Sequence, residues 1–205
     1  MRKLLLSEKE TSEKLDKLLL IVGNEEVEIG RLGENLHIAD FLMGSPDITN
    51  AAIELLDATE SDKAANDRDI LATGQFFSSE SDHLADAYYA KIADRVRVAH
   101  EHRGSMAYHV VLSLADPRLS EAIERRKKHF RAVGLTEDKI KFHCIESKWP
   151  FEVLIGINQA IVAFPDPDGK NPHFFALRIR DESFVAKARK WYRSIVSHYA
   201  KDYPL

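Results

Sequence analysis

The sequence predicts a mixed β-sheet with helices on its faces, an α/β (α+β) fold, preceded by a short helical segment. Three observations carry that expectation. From about residue 68 the chain alternates short apolar runs with stretches of helical period, the order a layered sheet requires. The run "MAYHVVLSL" is nearly continuously apolar, as a strand buried on both faces is. Near the end, Asp181 stands as an N-cap before Phe184, Val185, Ala188, Trp191, Tyr192, Ile195, Val196 and Tyr199, which follow helical spacing.

Residues 1–66 read as a separate helical unit. In "TSEKLDKLLLIVG", Leu15, Leu18, Leu19 and Val22 share one face and Gly23 is the stop. "GENLHIADFLMG" is a second helix between glycines. A third follows "SPD", with Ile48, Ala51, Ala52, Leu55 and Leu56 in helical spacing, and fades into the polar stretch "ATESDKAANDRD", which is taken as the domain boundary.

Residues 67–205 then hold the α/β domain. "DILATGQFF" is a short strand, and "DHLADAYYAKIADRVRVAHEHRG" a helix burying Leu84, Ala87, Tyr88, Ile92, Val96 and Ala99. After the strand "MAYHVVLSL" comes a helix with Asp116 as cap, Pro117 at its first position and Gly134 at its end. Leu119, Ala122, Ile123, Phe130 and Val133 form its buried stripe. The strand "KIKFHCIE", a hairpin with Asn158-Gln159 at its tip, the turn-rich "PDPDGKNP", the strand "HFFALRIR" and the final helix complete the order.

Composition excludes several function classes. With 44% hydrophobic and 30% charged residues over 205 positions, the chain is globular material with enough length for one good core. Cys144 is the only cysteine, so no internal disulfide and no multi-cysteine metal site can form, and it reads as core filling. The start "MRKLLLSEKE" meets Glu8 after three leucines, which does not support export. "LLLIV" falls far short of the roughly 20 apolar residues that span a membrane. A soluble, cytoplasmic protein without membrane contact is expected. The net charge of −4 is uneven: residues 1–66 hold seven Lys/Arg against fourteen Asp/Glu, and the remainder 22 against 19. Neither half shows a clustered basic excess, so nucleic acid is not expected as a partner.

From residue 68 onward the order of elements resembles one repeat of the phospholipase D superfamily. A helix precedes "MAYHVVLSL", a helix ends at the "VGL" turn, and "KIKFHCIE" leads to the hairpin "WPFEVLIGINQAIVAF". That family's hairpin carries a His, any residue, a Lys, four residues and an Asp. Here Trp149, Pro150, Phe151 and Gly156 occupy those places, so the resemblance implies the fold without the catalytic side chains. Nucleophilic attack on phosphorus needs the His, and charge stabilisation needs the Lys; Trp, Phe and Gly supply neither. The arrangement is similar to effector-type domains of some bacterial regulators. Because active members pair two repeats, the resemblance also implies a homodimer with Trp149 and Phe151 near the two-fold axis, lining a cleft or sealing an interface.

Other chemistry is sparse. His143, Glu146 and Lys148 are the candidates for a relocated phosphodiester hydrolase. His109 and His143 read as hydrogen-bonded core histidines, and His100 and His102 as a helix end suited to positive charge. "DPDG" reads as a turn rather than a calcium loop, and "ERRKKHFR" as a solvated basic face. Arg178 and Arg180 read as the half-solvated side of a strand that a carboxylate or phosphate ligand could engage. No phosphate loop, nucleophile elbow, metal site or cofactor is expected. The expected function is a non-catalytic, regulatory ligand-sensing or protein-interaction domain, its ligand a small molecule or a protein. The alternatives are the hydrolase and a DNA-binding regulator acting through residues 1–60.

Overall fold

A computed structural model describes residues 38–62, 67–74, 82–102, 106–146, 151–164 and 175–202. Its centre is an eight-stranded mixed sheet. The strands are β1 (Ile38–Met43), β2 (Ile70–Gly74), β3 (Tyr108–Ser113), β4 (Ile140–Ile145), β5 (Glu152–Ile155), β6 (Ala160–Phe164), β7 (Phe175–Ile179) and β8 (Lys201–Asp202). They are ordered β1-β7-β6-β5-β2-β3-β4-β8. β2, β3 and β4 run parallel, and every other pairing is antiparallel. The parallel part is joined through two helices, α2 (Asp82–Glu101) and α3 (Leu119–Ala132), as parallel strands require.

Period-two alternation divides the strand residues between two layers. Ile70, Ala72, Tyr108, Val110, Leu112, Ile140, Phe142, Leu154 and Ile161 share one core with α1 (Gly44–Ser61), α2 and α3. Leu71, Val111, Val153 and Ile155, of the other parity, are also buried and face the layer of α4 (Glu182–Tyr199). Burial on both faces explains why β2 and β3 read as continuous apolar runs. Asp181 caps α4 by accepting from the Phe184 N–H at 2.7 Å, as the sequence predicts. Val185, Ala188 and Tyr192 of its stripe are buried, whereas Tyr199 is exposed.

Several local expectations need correction. The predicted helix "GENLHIADFLMG" is instead, over its described part, the edge strand β1, paired with β7 from Ile38 to Met43. Gly44, at φ +76°, turns the chain out of the strand into α1. The third predicted helix is α1, and its stripe Ile48, Ala51, Ala52, Leu55 and Leu56 is buried in the sheet core. The unit that holds the sheet therefore begins at Ile38, not at residue 67. The first predicted helix, residues 11–23, lies outside the described residues.

The polar stretch taken as a boundary is a connection inside this unit. Asp67 accepts from Arg189 Nη2 at 2.7 Å and is also bonded to Arg193, tying α4 to the start of β2. Arg189 Nη1 donates to the carbonyls of Asp69 and Gly156, at 3.0 and 2.8 Å. A Cβ on Gly156 would stand 2.5 Å from Thr59 Oγ1 and 2.8 Å from Leu55 Cδ2, so only glycine lets α1 approach the hairpin. The turn closes through Gly156 N–H to Gln159 O, which puts Ile157-Asn158 at the tip and buries Gln159. Helix α3 starts at Leu119, two residues late, because Asp116 accepts from the Arg118 N–H and forms a turn there; Gly134, at φ +74°, ends it as expected. In α2, Ile92, Val96 and Ala99 are buried as the sequence predicts, while Tyr89 is also inside and Ala87 is exposed.

Candidate functional site

β2 is the strand at which the sheet changes sense, parallel to β3 on one side and antiparallel to β5 on the other. A cavity of about 60 Å³ is found there, where Ala72, Thr73 and Gly74 end β2 beneath α1, α2 and α3. Its polar wall is Thr49 of α1, Tyr88 of α2, Tyr108 of β3, Arg126 of α3 and Glu152 of β5. Ile48, Ala52, Leu154, Ile161 and Ala163 supply the apolar wall.

Arg126 is 3% exposed. Its guanidinium carbon lies 4.5 Å from the centroid of the Tyr89 ring, and Nη1 donates to Ala122 O at 2.8 Å. Gly74 makes room for it, since a Cβ there would stand 2.8 Å from Nη2. Burial opposes the charge of Arg126, but Tyr89, Tyr108 and the Glu152 carboxylate outweigh it and hold the pKa above the usual arginine value. Burial also pushes the hydroxyls of Tyr88, Tyr89 and Tyr108 upward, so all three remain neutral O–H groups at neutral pH. The cavity thus offers one fixed cation, one carboxylate and neutral hydroxyls.

Lys127 is buried beside Arg126, which corrects the reading of "ERRKKHFR" as a solvated face. The signal was present in the spacing. Leu119, Ile123, Arg126 and Phe130 all fall on the same stripe, so the arginine stands where an apolar residue would be expected.

A second polar cluster joins Asp69, His109 and His143. Asp69 Oδ1 accepts from the Ala107 N–H at 2.9 Å, and its Oδ2 lies 3.3 Å from His109 Nε2. Burial pushes the Asp69 carboxyl up, but the hydrogen bond and charge of His109 and the Ala107 N–H outweigh it and lower the pKa. His109 Nδ1 and His143 Nε2 are 3.3 Å apart, with the rings 16° from parallel. The pair is therefore a structural contact between neighbouring strands, as the sequence predicts for core histidines.

The other sequence-predicted residues do not converge. His143 is 7% exposed within β4, Glu146 is exposed just after it, and Lys148 and Trp149 lie outside the described residues. Phe151 is buried 6.4 Å, centroid to centroid, from Phe164. Arg180 is exposed at the end of β7. Arg178 is buried rather than half solvated, because Glu54 at 2.6 Å, Gln159 at 2.8 Å and Asp40 at 3.6 Å already engage it. Cys144 is buried, and burial raises its thiol pKa against thiolate formation. Among the described residues, no three His, Cys, Asp or Glu side chains are grouped to hold a metal, and no helix is long and apolar enough to cross a membrane.

No protein family and no curated protein matches the sequence. A similar solved structure is that of TrmBL2, an archaeal chromatin protein with a novel mode of DNA binding. The match has a TM-score of 0.55 and 17% sequence identity, and covers 98% of this chain. The chain spans 65% of that protein's length. The likeness supports the mixed α/β fold. It also overturns the expectation that nucleic acid is not a partner: that rested on the lack of a basic cluster, yet the same fold occurs in a DNA-binding protein.

Proposed function

We propose that the chain is a DNA-associated regulator whose α/β unit is a non-catalytic, ligand-receiving domain of phospholipase D-like architecture. The observation that carries this reading is the fold likeness to a DNA-binding chromatin protein over 98% of the chain. The site geometry supports the non-catalytic part. The histidine proposed as a nucleophile is buried against His109, while the cavity at the end of β2 holds charges and hydroxyls without an exposed nucleophile. The DNA contact is assigned, as in the sequence reading, to residues 1–60, of which residues 38–60 belong to the unit that holds the sheet.

Fluorescence anisotropy of the full chain with a labelled duplex tests the reading. Binding is expected at about 50 mM salt, weakening steeply toward about 200 mM as counterions compete. Absence of any anisotropy change at the lower salt overturns it.

A further inference from the structure

We propose that β1 is the contact strand of a homodimer. Two copies pair their β1 strands antiparallel about a two-fold axis at Leu42, so that Phe41 of each copy lies opposite the partner's Met43 and the two sheets become one. The proposal goes beyond the DNA reading and does not depend on it.

The first argument is an edge without protection. Among the described strands the sheet ends in β1 and β8. β8 has two residues, whereas β1 has six and is paired along one side only, with β7. Such an edge offers a row of N–H and C=O groups to any passing strand, and native edges are normally guarded by Lys, Pro or brevity. Ile38–Met43 holds no Lys and no Pro, and its one charge, Asp40, lies 3.6 Å from Arg178 of β7. The register shift between Ile38 and Asp40 interrupts only the start of the strand, and Asp40–Met43 is regular.

The second argument is apolar surface. Phe41 is 72% and Met43 59% exposed, two of the four exposed large hydrophobic side chains among the described residues. Alternation puts both on one face of the strand, while Leu42 packs against the core on the other. They continue a row that runs into the sheet. Phe41 stands beside Leu177 and Met43 beside Phe175, and Phe175 stacks on Phe164 with centroids 4.7 Å apart. A strand added outside β1 extends this row and takes Phe41 and Met43 out of water. The surface differs from the hairpin that the family resemblance puts at the two-fold axis, where Phe151 is buried.

The third argument names the occupant. A second β1 has the matching length and apolar face. β8 is too short to match, and a β1–β8 contact would be head-to-tail, with no reason to close. In a regular strand each residue turns its N–H and C=O to the same side and its neighbours turn theirs to the other. Antiparallel pairing about a two-fold therefore sets one residue opposite its own copy. An axis at Asp40 opposes two carboxylates, and one at Phe41 sets Asp40 against the partner's Leu42. An axis at Met43 runs the pairing into α1, which begins at Gly44. An axis at Leu42 sets Phe41 against the partner's Met43 twice over, a favourable sulfur–aromatic contact, and Asp40 against the partner's Gly44, which has no side chain. The paired stretch is short, so a dissociation constant of about 10–100 µM is expected.

Sedimentation velocity of the full chain between about 5 and 500 µM tests the proposal. Dimer is expected at the upper end. Phe41→Lys, a change at an exposed side chain, is expected to raise the dissociation constant tenfold or more with an unchanged circular dichroism spectrum. For the register, Phe41→Cys and Met43→Cys chains, one of them tagged, are mixed and oxidised. A mixed disulfide is expected, because directly opposed residues lie within bridging distance, whereas Phe41 and its own copy are more than about 7 Å apart. A parent chain that stays monomeric at the highest concentration, its edge then covered from within the chain, overturns the proposal. So does a Phe41→Lys chain as dimeric as the parent, or a Phe41→Cys chain that links to itself in preference to Met43→Cys.

Discussion

The Arg178 guanidinium donates to the Glu54 carboxylate at 2.6 Å and so fastens β7 to α1, two elements whose bonded residues are 124 positions apart. The two ends of this bond differ in environment. The Arg178 side chain is 7% exposed and the Glu54 side chain 62%. Its Nε also donates to Gln159 at the hairpin turn, at 2.8 Å. Arg178→Met keeps the apolar stem but leaves the buried Gln159 amide without that donor, at an expected cost of about 1–3 kcal/mol. Glu54→Gln keeps an acceptor at a solvated position and is expected to cost under about 1 kcal/mol. Urea denaturation of both variants checks the order; equal losses would place the anchor in the carboxylate rather than in the bond to the hairpin.

Acid sensitivity follows from the contact between α2 and α3. Asp86 accepts from Arg125 Nε at 2.8 Å and lies 3.1 Å from His129 Nε2. The Arg125 bond, aided by His129 and opposed by slight burial, lowers the Asp86 pKa from 3.8 to about 2. A folded-state pKa below the unfolded one gives stability that is fully present above 3.8 and is lost as pH falls toward 2. Asp86 is 49% exposed, so screening limits the effect to about 1 kcal/mol or less. Asp86→Asn is expected to be less stable than the parent near neutral pH, with the gap closing between about pH 4 and pH 2. Denaturation curves at those pH values measure it, and a gap that stays constant would remove the linkage.

Most of the α/β unit is legible from local pattern, because its elements are stabilised by local periodicity and ordinary caps. The strands "HVVLS" and "IKFHCI", the hairpin and the capped final helix all follow from residues within a few positions of one another. Strand β1 is not legible in this way. "HIADFLM" has the glycine brackets of a short helix, and only pairing with β7 makes it a strand. Arg178 was misread for a related reason: its alternation with Leu177 and Ile179 is that of a half-solvated strand, while the carboxylates that engage it come from β1 and α1. The cavity lies between these cases. Arg126 falls on the apolar stripe of its helix, a visible anomaly, but its convergence with Tyr88, Tyr108 and Glu152 needs the fold.

A phosphodiester hydrolase built on His143 makes a different demand on the same structure. A histidine nucleophile must reach phosphorus from an accessible position with its attacking nitrogen available. His143 is 7% exposed, and its Nε2 faces His109 Nδ1 at 3.3 Å, with Asp69 behind His109 at 3.3 Å. The residue two positions after Trp149, where the resembled family carries its lysine, is the buried Phe151. No turnover of bis(p-nitrophenyl) phosphate is therefore expected with Mg²⁺ or with EDTA. His143→Ala is expected to change stability instead, by about 1–3 kcal/mol, because it opens a gap between β3 and β4 and removes the partner of His109. Turnover by the parent chain that vanishes in a His143→Ala variant with an unchanged circular dichroism spectrum would reverse this conclusion. Loss of stability without any turnover in the parent would fix His143 as part of the strand packing.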